Sequence, residues 1–211
     1  VHHLYINVEQ VRAFRTSSFF KSCEPPLILG GLKLNRSVLK FGGSSVSDFT
    51  KIKNIAEMLK TRVEQGEELI VVVSAMGKTT DQLMENVSTL TSTPKDQELA
   101  LLLTTGEQQT VSYLSMVLND ISVKAKAMTG YQAGIKTIGH HLKSKIAEIN
   151  PDTFNQAFEN NDVLVVAGFQ GINDEFELTT LGRGGSDTTA VALAATNQNP
   201  CHIYTDDDGV Y

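Results

Sequence analysis

Short apolar runs alternate with longer stretches of helical period through most of this chain. VLKF (38–41) reads as a strand that runs into Gly-Gly. Beyond it Phe49, Ile52, Ile55, Leu59 and Val63 recur at spacings of three and four, which predicts a helix capped by Ser47 or Asp48 and ended by Gly66. LIVVV (69–73) is apolar on both faces, the pattern of a central parallel strand, and it opens directly into SAMGKTTDQL. A polar stretch, STLTSTPKD (88–96), separates this loop from a long helix carrying Leu99, Leu102, Leu103, Val111, Leu114 and Leu118. VKAKAM (123–128) and VLVVAGF (163–169) predict two more strands, and HIYTD (202–206) a last one. ELTTLGRGGSDTTAVALAA reads as a loop feeding an Ala-rich helix. Strands and helices in this alternation predict an α/β fold with a mainly parallel central sheet sandwiched by helices. No internal repeat is visible.

The first 37 residues break that rhythm, mixing aromatics, Arg, Ser and a Pro-Pro without a sustained period. They read as an appendage, and residues 38–211 as the folded domain. The appendage lacks the apolar core and cleavage site of a secretory signal, and Glu9 and Glu24 disfavour an organellar transit peptide. The 211 residues, 41% of them hydrophobic, suffice for a real core. A net charge of -6 without any basic block argues against nucleic acid or an anionic membrane surface as partner. No apolar run approaches the roughly 20 residues needed to span a bilayer. Cys23 and Cys201 match neither a metal-ligand spacing nor a disulfide framework, so a reducing cytoplasm fits best.

Three loops follow predicted strands and open into helices: KFGGSS (40–45), SAMGKTTD (74–81) and GRGGSD (182–187). Glycine lets backbone N–H groups approach an anion closely, and a helix N-terminus favours negative charge. A single Gly-Gly after a strand is more often a tight turn; three such loops in one chain point to a phosphate or carboxylate site. Walker A is absent, because its first Gly would fall at Val72, inside a strand.

VLKFGGSSV, VVVSAMGKTTDQL, TTGEQQT, VAGFQG, TTLGRGGSDTTAVALAA and IYTDDDGVY, in that order, resemble the successive blocks of the aspartokinase family, within the amino-acid kinase superfamily. The resemblance covers residues 38–211 and implies the amino-acid kinase (carbamate kinase-like) fold, incomplete at the C-terminus. It implies transfer of the γ-phosphoryl group of ATP, with Mg²⁺, to the side-chain carboxylate of L-aspartate, the first step of lysine, threonine and methionine synthesis. Carried over residue by residue, it places Lys40, Phe41, Gly42 and Gly43 around the ATP phosphates, with Ser74 and Ser186 beside them. Thr205, Asp206 and Tyr211 fall to the nucleotide site. Thr79, Thr80, Glu107, Arg183, Gly184, Gly185 and Ser186 fall to aspartate, and Lys40, Arg183 and Asp187 to catalysis.

These residue types suit that chemistry. A carboxylate acceptor with a pKa near 4 is already ionised at neutral pH, so no general base is needed. The difficulty is the approach of two anions, which cations and oriented N–H groups relieve. Lys40 fits that role, Arg183 can hold a carboxylate through two parallel bonds, and Glu107 supplies the sign an ammonium needs. Against each stands a plainer reading: Lys40 as an edge-of-strand lysine, Glu107 as a solvated helix residue, Asp187 as a helix cap. His140 and His141 read as surface loop, Met76, Met84 and Met116 as core filler, and Cys201 as simply buried.

The closing YTDDDGVY is not a metal cluster, since consecutive strand residues point to opposite faces. Asp207 stands where the family usually has Val. The family continues with an Asp-Pro-Arg segment, a Gly-Ala-Lys loop and regulatory ACT domains, and its full-length members oligomerise. The expectation is therefore a partial kinase domain with an open HIYTD edge, weakly active or inactive alone. Rival readings are a glutamate, acetylglutamate or uridylate kinase, and a non-catalytic product.

Overall fold

The computed structural model describes residues 2–6 and 35–205. Its centre is a six-stranded sheet built from β1 (His2–Ile6), β2 (Arg36–Phe41), β3 (Glu68–Val73), β4 (Ala125–Met128), β7 (Val163–Ala167) and β10 (Cys201–Thr205), in the order β1-β10-β2-β3-β7-β4. All neighbours are parallel except β1, which runs antiparallel to β10. The expected strands are therefore present, with β2 beginning earlier than VLKF, at Arg36.

Side chains alternate across this sheet, and both faces are covered. On one face Leu39, Val71 and Val165 pack under α1 (Phe49–Glu64) and α3 (Asp96–Asp120), which contribute Ile52, Leu59, Leu114 and Leu118. On the other, Val38, Ile70, Val72 and Leu164 pack under α4 (Asp152–Phe158) and α5 (Gly185–Asn197) through Phe154, Ala190 and Leu193. Burial on both faces is why the strands read as unbroken Val/Ile/Leu runs. At about 25 cal/mol per Å² of apolar surface, each buried Leu or Ile contributes roughly 1.5–3 kcal/mol.

A second, four-stranded sheet leaves no period of its own in the sequence. It contains β5 (Ile135–Ile138), β6 (Lys145–Ile149), β8 (Gln170–Ile172) and β9 (Leu178–Thr180), in the order β6-β5-β8-β9. The HIYTD edge is also not open: His2 to Ile6 pair in register with Thr205 to Cys201. That pairing puts the start of the supposed appendage on the central sheet.

Candidate active site

Parallel register brings the functional loops to one edge of the sheet. Tyr204 sits opposite Phe41, Phe41 opposite Val73, and Val73 opposite Ala167, so the chain leaves β10, β2, β3 and β7 on the same side. The loops after β2 and β3 then interlock through their backbones. Gly77 N–H donates to the Gly43 carbonyl at 3.0 Å, and a Cβ on Gly43 would stand 2.9 Å from the Ala75 carbonyl oxygen. Only glycine permits that approach. The third loop, after β9, reaches α5 through Gly184, whose φ of 73° is left-handed.

The helices that follow these loops differ in what they offer an anion. α1 is closed, because the Asp48 side chain accepts from Lys51 N–H at 2.9 Å. Among the described residues α2 (Thr79–Leu90) and α5 have no side-chain cap; Thr79 N–H and Gly185 N–H turn back onto the Met76 and Gly182 carbonyls at 2.9 and 3.0 Å, and beyond them the helix dipoles favour an anion. Thr80 of α2 and Gly185, Ser186 and Asp187 of α5 line one cleft of about 330 Å³. Lys40, Gly42, Gly43, Ser74, Glu107, Arg183 and Gly184 line it too.

Its charged groups are set by burial. Lys40 is 7% exposed, and its Nζ stands 2.7 Å from Asp187 Oδ1. Asp187 Oδ1 has no aligned hydrogen bond among the described residues, so the contact is one of charges that another anion can share. A Cβ on Gly42 would lie 3.3 Å from that ammonium, which is thus presented at the glycine turn. Arg183 is exposed and has no ion pair among the described residues. Glu107 is 3% exposed; its Oε1 accepts from Ala75 N–H at 3.1 Å while Oε2 is buried without a partner among the described residues. Burial pushes the Glu107 carboxyl up to about 7, against the lowering effect of the Ala75 bond. Cys201, under α5, is pushed up to about 12 by burial and by the charge of Asp187, and is an inert thiol.

Some expected site residues do not line the cleft. The Phe41 ring is buried in the α1/α3 core and stacks on Tyr204 at 4.7 Å, so only its backbone reaches the loops, accepting from Ser74 N–H. Thr79 turns its hydroxyl onto the Met76 carbonyl at 2.7 Å as a local turn contact. Thr205 ends β10, and Asp206, Asp207 and Tyr211 lie outside the described residues. Ser44 and Gly182, inside the 40–45 and 182–187 loops though not singled out there, line the cleft, and so does Phe169, which lies outside all three loops. Phe169 closes an apolar run and looks like core from sequence; its left-handed φ of 69° marks it only in the structure. Two core assignments fail: Met84 and Met116 are 44% and 66% exposed on helix faces. The histidines, a surface loop by sequence, each meet a distant carboxylate: His140 with Asp96 and His141 with Glu177, both at 2.8 Å.

A parallel sheet with two uncapped helix N-termini, a presented lysine and a buried acid around one cleft defines an α/β protein with a cleft of mixed charge at the ends of its strands. Comparison with known proteins gives the family. The amino acid kinase family matches residues 35–211, and the chain belongs to it. It is 46% identical over 175 residues to aspartokinase 2 of Bacillus subtilis and 47% identical over 175 residues to an aspartokinase of Thermus thermophilus. Each match takes in 82% of this chain and 43% of the relative, so the chain spans under half the length of these relatives. The crystal structure of an aspartate kinase from Synechocystis superposes with a TM-score of 0.68 at 42% identity, covering 81% of this chain and 28% of that one. Escherichia coli aspartokinase III in complex with aspartate and ADP shares the fold at 20% identity and a TM-score of 0.65, over 77% of this chain and 47% of that one. Among the described residues no helix is long and apolar enough to cross a membrane.

Proposed function

We propose that this chain carries the acceptor-binding and part of the phosphate-binding machinery of an aspartate kinase, which moves the γ-phosphoryl group of ATP onto the side-chain carboxylate of L-aspartate. The observation that carries the reading is Glu107, a buried carboxylate with one oxygen unpartnered among the described residues, in the same cleft as Arg183 and Lys40. An acceptor bearing an ammonium and carboxylates complements that set. N-acetylated amino acids and uridylate have no ammonium to place there. The similarity to aspartokinases at 44–47% identity supports aspartate over glutamate.

In this reading Glu107 Oε2 receives the substrate ammonium and Arg183 holds a carboxylate in a two-bond fork. The N–H groups at the starts of α2 and α5 orient the remaining oxygens. Lys40, now balanced by Asp187, is drawn toward the transferring phosphoryl group and offsets the repulsion between two anions. Mg²⁺ bound with ATP supplies further charge neutralisation. Among the described residues no three side chains gather as a metal site; Asp187, a carboxylate of the cleft, would hold the ion that comes with the nucleotide. ATP as donor agrees with the cytoplasmic setting expected from the sequence.

Hydroxylamine traps an acyl phosphate as a hydroxamate, which makes the reaction directly readable. Mg-ATP with aspartate, glutamate or N-acetylglutamate should yield hydroxamate from aspartate alone in the complete gene product. Calorimetry on the 211-residue chain should show aspartate binding and no binding of N-acetylaspartate. Equal affinity for the two would sink the assignment of Glu107 and the reading that rests on it.

A further inference from the structure

Arg183 stands only three residues beyond Thr180, the last residue of β9, and β9 is an edge strand of the second sheet. Edge strands leave half their backbone groups unpaired, so something must hold this one if the arginine is to have a fixed address. The turn between β5 and β6 does so. Thr180 N–H donates to the His141 carbonyl at 2.6 Å, and Ser144 N–H donates to the Thr180 carbonyl at 2.9 Å. The His141 ring then reaches Glu177, the residue just before β9, with Nε2 2.8 Å from Oε2. Asn173 holds the same carboxylate oxygen at 2.9 Å and receives the Glu177 N–H at 2.8 Å. The pull of Asn173 first, and His141 second, holds the Glu177 carboxyl below its ordinary range, so it is charged and accepts from both. On the cleft side, a Cβ on Gly182 would come 3.6 Å from the Leu142 carbonyl oxygen, so the same turn backs the glycine that precedes Arg183.

We propose that His141 and Glu177 are positioning residues: they clamp the 140–144 turn onto β9 and thereby fix the Gly182–Gly184 turn that aims Arg183 into the cleft. Neither side chain lines the cleft, so neither touches the ligand. The inference deepens the proposed function, since its ligand readout rests on Arg183 binding an aspartate carboxylate. The two fail separately in the experiment that follows.

The test uses the 211-residue chain with His141→Ala, the conservative His141→Gln, which keeps a donor, and both in an Arg183→Ala background. Hydrogen exchange over residues 178–185 reads the clamp without ligand: His141→Ala should accelerate exchange there and nowhere in the central sheet, and His141→Gln should restore it. Calorimetry reads the consequence. His141→Ala should weaken aspartate binding about tenfold, leave binding of a non-hydrolysable ATP analogue unchanged, and have no further effect once Arg183 is Ala, the non-additivity of residues acting as a unit. Unchanged exchange over 178–185 overturns the clamp, as does equal weakening of both ligands or an additive double variant. A wild-type chain that ignores aspartate overturns the functional reading instead, and the exchange comparison still decides the clamp.

Discussion

Lys40 Nζ stands 2.7 Å from Asp187 Oδ1, joining the end of a central strand to the first turn of a helix across the mouth of the cleft. The lysine is almost wholly buried and the aspartate side chain is 47% exposed, so the pair is asymmetric. Removing the acid leaves a buried ammonium; removing the lysine leaves an acid that water can reach. Asp187→Asn should therefore cost about 1 kcal/mol in urea unfolding, well below a fully buried pair because half of the acid is already solvated. Lys40→Met should be nearly neutral for stability. Its effect should appear in phosphoryl transfer by the complete gene product, as a loss of about 10²–10³-fold, the size of removing one preorganised charge from a transition state. A Lys40→Met variant within threefold of wild-type turnover would remove Lys40 from the mechanism.

Gly106 lies inside α3, where glycine ordinarily weakens a helix by about 1 kcal/mol relative to alanine. Here a Cβ would stand 2.8 Å from the Ala75 Cβ, on the loop whose N–H holds Glu107. Gly106→Ala should thus lose about 1–3 kcal/mol by overpacking rather than gain from propensity. The displaced Ala75 should also weaken aspartate binding. Urea denaturation decides the sign, and a more stable variant would show that the two segments part without strain.

Arg183 is exposed and belongs to a glycine turn, so its replacement should leave stability within about 0.5 kcal/mol. Arg183→Ala should weaken aspartate binding by about 100-fold, and Arg183→Lys should recover little, because an ammonium cannot reproduce the planar fork. Calorimetric titration of the three proteins separates a fork from a point charge: full recovery by lysine would mean that charge alone is used.

How much of this was legible in the sequence follows from burial. Val38, Ile70 and Leu164 lie in strands covered on both faces, and such strands announce themselves as apolar runs. The second sheet does not, because Lys136, Ile138, Lys145 and Glu148 put charged and exposed positions into strands of four and five residues, too short for a period to emerge. In the cleft, Lys40, Arg183 and Ser186 are marked by the glycines beside them. Glu107 is marked by nothing local, since a glutamate in a helix is normally solvated and only the packing of α3 under the Ala75 loop buries it. Phe169 is hidden for the opposite reason, an aromatic residue where core is expected. The exposed Met84 and Met116 show the same limit, because helical spacing alone does not say which face is covered.

Glu107 also makes the strongest pH statement. Its carboxyl is raised from 4.5 to about 7, so between those values the folded chain holds a proton that the unfolded chain has released. Stability from this group is therefore fully present below pH 4.5, falls as the pH rises toward 7, and levels off above. At about 1.4 kcal/mol for each tenfold change in proton affinity the loss is on the order of 3–4 kcal/mol. Glu107→Gln can keep an oxygen on the Ala75 N–H without ever charging, so it should remove this slope and be the more stable protein at pH 8. The same carboxyl must ionise to receive an ammonium, so aspartate binding to the wild type should tighten as pH rises through 7 and should release protons. Titrations in two buffers of different ionisation enthalpy count those protons. Proton uptake, or none, together with a Glu107→Gln variant that still binds aspartate, would show that the buried acid does not meet the ligand.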